Sequence, residues 1–314
     1  KQDLRDHFPY GLLTVNPDQI TRLHSSSGTT GIPTVVFHTR DDIEHWADLV
    51  ARCMYMTGSR PRDVFQNTMG YGLFTGGLGL HYGAEKIGML TIPVGPGNSK
   101  RQIWFLEQFG TTTIHILPSY ALHLYAFFDK CGLDPKTDLK LKTAYIGAEH
   151  HSDELRHQIE QLYGIKAYNS YGLSEMCGPG VAFECPEQSG MHLWEDHYLM
   201  EIIDPNTGTV LPDGEEGELV LTTLHRTAMP LIRYRTRDLT RIISDTCPCG
   251  RTHRRIGRIK GRSDDMLIIN GVNIFPLQIE KTIMAIPGIG SNYRIEIKKE
   301  GFMDRMIVNI EVRQ

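Results

Sequence analysis

Apolar and polar positions alternate along this chain in two rhythms. Short β-branched or apolar runs at Val35–His38, 113–117, 143–146 and 167–170 have the length and composition of buried strands. Between them lie stretches with helical spacing. Residues 41–56 set Trp46, Leu49, Val50, Cys53 and Met54 on one face, and 120–131 is rich in Leu, Tyr and Phe. Ser152, followed by Asp153 and Glu154, opens a third helix with Leu155, Ile159 and Leu162 along one side. Strand, helix, strand, helix predicts an α/β fold with a mostly parallel sheet covered by helices. From 198 to 260 strands alternate with turn signals such as Pro205-Asn206-Thr207-Gly208 and Pro212-Asp213-Gly214, which predicts an antiparallel or barrel-like section. Residues 265–314 read as a short strand, a helix after Pro276 and two further strands, the beginning of a small α+β domain.

Composition narrows the class. The chain has 314 residues, more than one core usually serves, so two domains are expected. Its 33 basic and 37 acidic residues give a formal charge of −4, which argues against a nucleic-acid or anionic-membrane partner. No apolar run approaches the roughly 20 residues of a membrane span, and the chain opens on Lys1 with no signal peptide, so a cytoplasmic enzyme is expected.

Candidate chemistry then emerges in order along the chain. His24-Ser25-Ser26-Ser27-Gly28-Thr29-Thr30-Gly31-Ile32-Pro33 leads into an apolar strand. Hydroxyls, successive N–H groups and glycines tolerant of close approach suit it to wrapping a triphosphate, and no Gly-Lys pair makes it a Walker loop. Such composition alone also suits a plain surface turn. Gly147-Ala148-Glu149 and Asn169-Ser170-Tyr171-Gly172 end predicted strands, where open α/β sheets bind ligands. Tyr171 suits stacking on a base, Gly172 close approach, and Glu175 supplies the hard oxygen that Mg²⁺ prefers. Asp238 follows Arg233, Arg235 and Arg237; its carboxylate suits the two hydroxyls of a ribose, or an ion pair with a neighbouring arginine. Cys247-Pro248-Cys249-Gly250, with Cys185 and His192 some sixty residues before it, offers three thiolates and an imidazole for structural zinc, with His253 as the alternative fourth ligand. The contrary reading is a reduced, metal-free hairpin. Cys53 and Cys131 read as core residues on apolar helix faces.

Tyr171-Gly172-Leu173-Ser174-Glu175, Arg233-Tyr234-Arg235-Thr236-Arg237-Asp238 and Gly261-Arg262-Ser263-Asp264-Asp265 resemble, in that order, the adenylate-forming enzymes. Tyr71-Gly72-Leu73-Phe74-Thr75-Gly76-Gly77-Leu78-Gly79, Gly178-Pro179-Gly180-Val181, His192-Leu193-Trp194-Glu195-Asp196-His197 and Asp264-Asp265-Met266-Leu267-Ile268-Ile269 are similar to the phenylacetate–CoA ligase family within them. The resemblance implies ligation of an aromatic carboxylic acid to coenzyme A through an acyl-adenylate, using ATP and Mg²⁺. It implies that 147–149 line the adenine and acyl pockets, that Asp238 and Arg262 hold the ribose, and that Asp264 is the hinge of a mobile small domain. It implies a large domain over 1–263 and the start of the small one over 264–314, with chain missing at both ends and a homodimer left open. Asn270-Gly271-Val272-Asn273 would face the active site in the thioester-forming pose. Glu175, Thr29 and Thr30 are the expected catalytic groups, and Tyr71, Phe74, Gly147 and Ala148 the acid pocket.

Two departures from the family pattern matter. Ile32 stands where a lysine commonly follows the last glycine of the phosphate loop, and no counterpart of the mobile-domain lysine precedes Gln314. They motivate one other reading, a nucleotide-binding protein without turnover; an enzyme that loads a carrier protein is a second alternative.

Overall fold

The computed structural model describes residues 1–26, 33–149, 151–264, 267–269 and 272–274, scattered positions from 276 to 288, then 289–300 and 303–312. After a short helix α1 (Gln2–Asp6), strands β1 (Arg22–Ser25) and β2 (Val35–His38) pair antiparallel as a hairpin. The chain then alternates: α2 (Arg40–Met56), β3 (Val64–Asn67), α3 (Thr75–Ile87), β4 (Leu90–Ile92), α4 (Ser99–Gln108), β5 (Thr113–His115), α5 (Pro118–Cys131), β6 (Thr143–Gly147), α6 (Asp153–Tyr163) and β7 (Lys166–Tyr171). Strands β4, β3, β5, β6 and β7 lie side by side and parallel, as the sequence rhythm requires. The sheet continues antiparallel through β8 (Ala182–Glu184), β9 (Met191–Leu193), β14 (Arg255–Ile256) and β13 (Ile242–Ile243), nine strands in all.

Alternation along β6 explains how the core is divided. Ala144 and Ile146 pack with Ile103, Leu124, Phe128 and Ile159 from α4, α5 and α6 on one face. Tyr145 points to the other face, where Trp46, Val50 and Met54 of α2 and Leu80 of α3 are buried. Helices on both faces leave the strand ends as the open edge.

The antiparallel section forms a separate four-stranded sheet of β10 (Tyr198–Ile203), β11 (Gly217–Thr223), β12 (Tyr234–Thr240) and β15 (Gly261–Arg262). All of its pairings are antiparallel, the form the turn-punctuated strands predict, and the sheet is open among the described residues. Farther on, β16 (Leu267–Ile269) pairs with β17 (Val272–Ile274), and β18 (Ile289–Glu300) with β19 (Met303–Val312). The helix expected after Pro276 falls largely outside the described residues. Cys53 is fully buried as expected, but Cys131 is exposed at the last turn of α5.

Helix α2 is anchored at its start. Thr39 and Asp42 form a reciprocal cap, with Thr39 N–H donating to Asp42 at 2.9 Å and Asp42 N–H to Thr39 Oγ1 at 3.2 Å. The same carboxylate accepts from Thr227 N–H at 2.7 Å and Ala228 N–H at 2.9 Å, tying the helix to the loop before β12. Asp42→Ala would strip the acceptor from Thr39, Thr227 and Ala228. Of these donors only Ala228 N–H is buried, and a buried donor left unpaired costs about 1–3 kcal/mol, so stability should fall by about that amount. Asp42→Asn, which keeps one carbonyl oxygen, should lose less. Urea denaturation of the three proteins checks this; an alanine variant with an unshifted midpoint would remove Asp42 as the anchor.

Candidate active site

The carboxyl ends of β6 and β7 open into a cavity of about 250 Å³. Residues 147–149 and 169–172, Asp238 and Arg262, all singled out from sequence, line it together. Close backbone approach explains the glycines. A Cβ on Gly147 would meet Ser170 O and Oγ at 2.6 Å, and one on Gly172 would meet Gly178 Cα at 2.5 Å. The Glu149 carboxylate is turned away, accepting from Ser119 Oγ at 2.9 Å, so Glu149 ties the first turn of α5 to the end of β6.

Asp238 is the pivot of the cavity. Tyr171 donates its hydroxyl to Asp238 Oδ2 at 2.6 Å, and Arg262 Nη1 lies 3.3 Å from Oδ1. Register makes this possible, because Asp238 on β12 stands opposite Arg262 on β15. Burial, reinforced by the Asp238 carboxylate, raises the Tyr171 phenol well above its ordinary range, so it stays a donor. The arginines preceding Asp238 are engaged elsewhere: Arg233 with Glu201 at 3.0 Å, Arg235 with Glu218 at 2.6 Å and Arg237 with Glu218 at 3.5 Å. Arg262 also clamps Asp264 with two 2.9 Å bonds, linking the cavity to the residue expected as hinge.

Glu175, the expected Mg²⁺ ligand, is buried rather than an exposed loop acid. It is 2 % exposed, in a 3-10 turn just after β7. Its Oε1 lies 3.0 Å from Thr34 Oγ1 and 3.6 Å from Lys1 Nζ. Thr34 Oγ1 is 2.6 Å from Ser26 Oγ, and Ser26 N–H donates to Thr34 O at 3.0 Å. The β1–β2 hairpin therefore brings Ser25 and Ser26, where the hydroxyl-rich run begins, beside Glu175. Ser27, Gly28, Thr29, Thr30, Gly31 and Ile32 lie outside the described residues, as do Asn270 and Gly271. Buried Arg226 donates to the Glu175 carbonyl and holds the turn from the other side.

A second cavity, about 300 Å³, adjoins the first and shares Ala148, Ser170, Gly172 and Leu173 with it. Phe74, Met69, His115 and Pro179 wall it. Of the residues expected to form an acid pocket, Phe74 and Ala148 line this space. Gly147 lines only the neighbouring cavity, and Tyr71 lines neither. The Tyr71 hydroxyl instead accepts from Asn67 Nδ2 at 3.0 Å, and burial pushes its phenol up to about 12.

Away from the cleft, Cys185, His192, Cys247 and Cys249 converge, with one potential ligand atom from each within 4.8 Å of the others. Cys185 Sγ and Cys247 Sγ are 3.7 Å apart, and Cys249 Sγ and His192 Nε2 3.3 Å. A tetrahedron with metal–sulfur bonds near 2.3 Å has sulfur–sulfur edges of about 3.8 Å. His192 Nδ1 pairs with the His253 carbonyl at 2.9 Å, orienting Nε2 toward the sulfurs. His253, the alternative ligand, contributes that carbonyl, while its ring packs edge-on against Trp194.

Some site residues carried no sequence signal. Arg258 and His151 line the first cavity, with Arg258 donating to the His151 carbonyl and to Asp153 at 2.7 Å. Burial, helped by Arg258, holds the His151 imidazole down to about 4. His115 ends a recognised strand, and its place at the ligand-bearing edge was the signal that could have found it.

The chain matches the AMP-binding enzyme family over residues 9–227 and the AMP-binding enzyme C-terminal domain over 271–314. It is 51 % identical over 314 residues to phenylacetate–coenzyme A ligase of Pseudomonas putida, covering all of this chain and 71 % of the relative. The corresponding ligase of Thermus thermophilus is 48 % identical, again across 100 % of this chain and 71 % of the relative. Among solved structures, 2-hydroxyisobutyryl-CoA ligase in its postadenylation state superposes with a TM-score of 0.92 at 32 % identity, over 100 % of this chain and 68 % of that one. The chain belongs to the AMP-binding enzymes and, within them, to the family of phenylacetate–coenzyme A ligases.

Proposed function

We propose that the protein joins an aromatic, phenylacetate-like carboxylic acid to coenzyme A, consuming ATP and releasing AMP and pyrophosphate. The observation that carries this reading is the continuity of the cleft. A polar cavity centred on Asp238 and a more enclosed one walled by Phe74 and Pro179 share four residues, with Glu175 buried at the flank. In this reading ribose hydroxyls donate to Asp238, Arg262 steadies that carboxylate, and the adenine lies between Tyr171 and the 147–149 backbone. The phosphates run toward Ser25 and Ser26. The ring of the acid enters the second cavity and presents its carboxylate at the shared wall.

The chemistry asks mainly for positioning. An acid carboxylate oxygen attacks the α-phosphorus of ATP, the bond to the bridging oxygen breaks, and pyrophosphate leaves with that electron pair. The coenzyme A sulfur then attacks the acyl carbon, the carbon–oxygen bond to AMP breaks, and the thiol proton passes to solvent. Holding the reactants in line contributes most of the acceleration. Glu175 with the Ser26 and Thr34 hydroxyls offers only hard oxygen donors, which fits Mg²⁺. When bound, that ion offsets phosphate charge. Residues 1–263 would act as the large domain and 264–314 as the start of the mobile one, with Asp264 as hinge, its side chain clamped by Arg262.

Pyrophosphate release should follow addition of phenylacetate and be far weaker with acetate or hexanoate. Glu175→Gln should lower that rate by about 100-fold, because an amide is a poor Mg²⁺ ligand. Its buried contact with Thr34 means that the thermal midpoint should also drop by a few degrees. Equal rates with aromatic and aliphatic acids would remove the aromatic assignment. A glutamine variant at the wild-type rate across Mg²⁺ concentrations would remove Glu175 as the ligand.

We further propose that Cys185, His192, Cys247 and Cys249 hold a structural zinc ion. Four protein ligands leave no open position, so the site would brace the fold rather than act on substrate. It would join Cys185, just after β8, and His192 on β9 to the loop between β13 and β14, ahead of Arg258 and Arg262. Elemental analysis of protein purified without chelator should give about one zinc per chain. Cys247→Ser should lose the metal and unfold at lower temperature. Metal-free protein as stable as protein refolded with zinc would overturn the assignment.

A further inference from the structure

His115 stands at the carboxyl end of β5, in the wall of the cavity that receives the acid. Its chemistry there is settled by a neighbour on β3. Asn67 Nδ2 donates to the Gly77 carbonyl at 2.7 Å and to the Tyr71 hydroxyl at 3.0 Å, while its Oδ1 accepts from Met69 N–H at 3.2 Å. These contacts fix which end of the amide carries oxygen. That same Oδ1 lies 3.2 Å from His115 Nδ1. An amide oxygen can only accept, so Nδ1 carries the proton and donates. Burial holds the imidazole down to about 3, which keeps the ring neutral at physiological pH. Nε2 is therefore an unprotonated acceptor, and the hydrogen bonds found among the described residues leave it for a molecule in the cavity.

A benzene ring without substituents offers Nε2 nothing. A ring bearing a hydroxyl supplies an O–H donor to this acceptor, while Met69, Phe74 and Pro179 give the same cavity apolar walls and Thr75, Ser170 and Ser174 also line it. We propose that His115 is a specificity-determining residue that accepts a hydrogen bond from a ring hydroxyl, so that the preferred acids are hydroxyl-substituted arylacetic acids. This rests on the acyl-CoA ligase reading of the same cleft. Asn67 acts through His115 as a positioning residue: without its Oδ1, the other tautomer would turn Nε2 into a donor and reverse the preference.

The test is a substrate series read by pyrophosphate release: phenylacetate, 3- and 4-hydroxyphenylacetate, and the matching methoxy acids, which accept hydrogen bonds but cannot donate. At least one hydroxyl acid should exceed both phenylacetate and its own methoxy analogue by roughly 10- to 100-fold in kcat/KM, the range for pairing an otherwise stranded buried acceptor. In His115→Leu the hydroxyl-to-methoxy ratio should collapse toward one. His115→Gln, which can offer an amide oxygen, should restore part of it. Because His115 is buried and a variant could misfold, the wild-type series decides independently. Turnover of phenylacetate as good as that of both hydroxyl acids overturns this assignment alone, and so does a hydroxyl preference that survives in His115→Leu. Absence of turnover with every arylacetic acid overturns the ligase reading and this assignment with it.

Discussion

A buried carboxylate shared between a phenol and a guanidinium joins the two sheets of this protein at the point where its ligands would meet. Asp238 belongs to the four-stranded sheet and Tyr171 to the nine-stranded one, and their 2.6 Å hydrogen bond spans the gap. Arg262, opposite Asp238 in register, completes the set and reaches on to Asp264. Each member depends on the others. A buried carboxylate without partners would cost several kcal/mol, and a buried phenol without an acceptor would also be penalised. The arrangement preorganises a buried carboxylate in the wall of the cavity. Glycines at 147 and 172 allow the close backbone approach that shapes that cavity, because a Cβ at either would clash with Ser170 or Gly178.

Around this junction the labour divides cleanly by structural element. Parallel strand ends supply backbone and the residues proposed to meet base and acid; the hairpin of β1 and β2 supplies hydroxyls beside Glu175; the antiparallel sheet supplies Asp238. The Cys-His cluster lies outside the cleft, and the zinc proposed for it would brace the segment that leads to Arg258 and Arg262.

Much of this was legible in the sequence for definite reasons. Parallel strands buried on both faces leave continuous apolar runs, and Ser152 marks its helix by a cap that the structure shows accepting from Leu155 N–H at 3.2 Å. Strand-end residues 147–149 and 169–172 were legible because open sheets bind ligands there, and they do line one cavity with Asp238 and Arg262. What was hidden depends on distant partners. Glu175 looks like an exposed loop acid until Thr34, 141 positions earlier, and Arg226 close over it. The choice of His192 over His253 needs the β9–β14 pairing that sets His192 opposite Arg255. The tautomer of His115 is invisible without Asn67 beside it, 48 residues away in the chain. Cys131 misled because an apolar helix face near a C-terminus need not be covered.

The central claim, that Asp238 in its buried frame seats a ribose, is tested most directly by calorimetry with ATP and its 2′,3′-dideoxy analogue on the wild-type protein and on Asp238→Ala. Hydrogen bonds from the ribose hydroxyls to a carboxylate contribute about 1.5–3 kcal/mol, so the dideoxy compound should bind the wild type roughly 10- to 100-fold more weakly. Asp238→Ala should bind both compounds with the same weakened affinity, the signature of a coupling lost with the carboxylate. Equal affinities of the two nucleotides for the wild-type protein, or an undiminished difference in Asp238→Ala, would contradict the account.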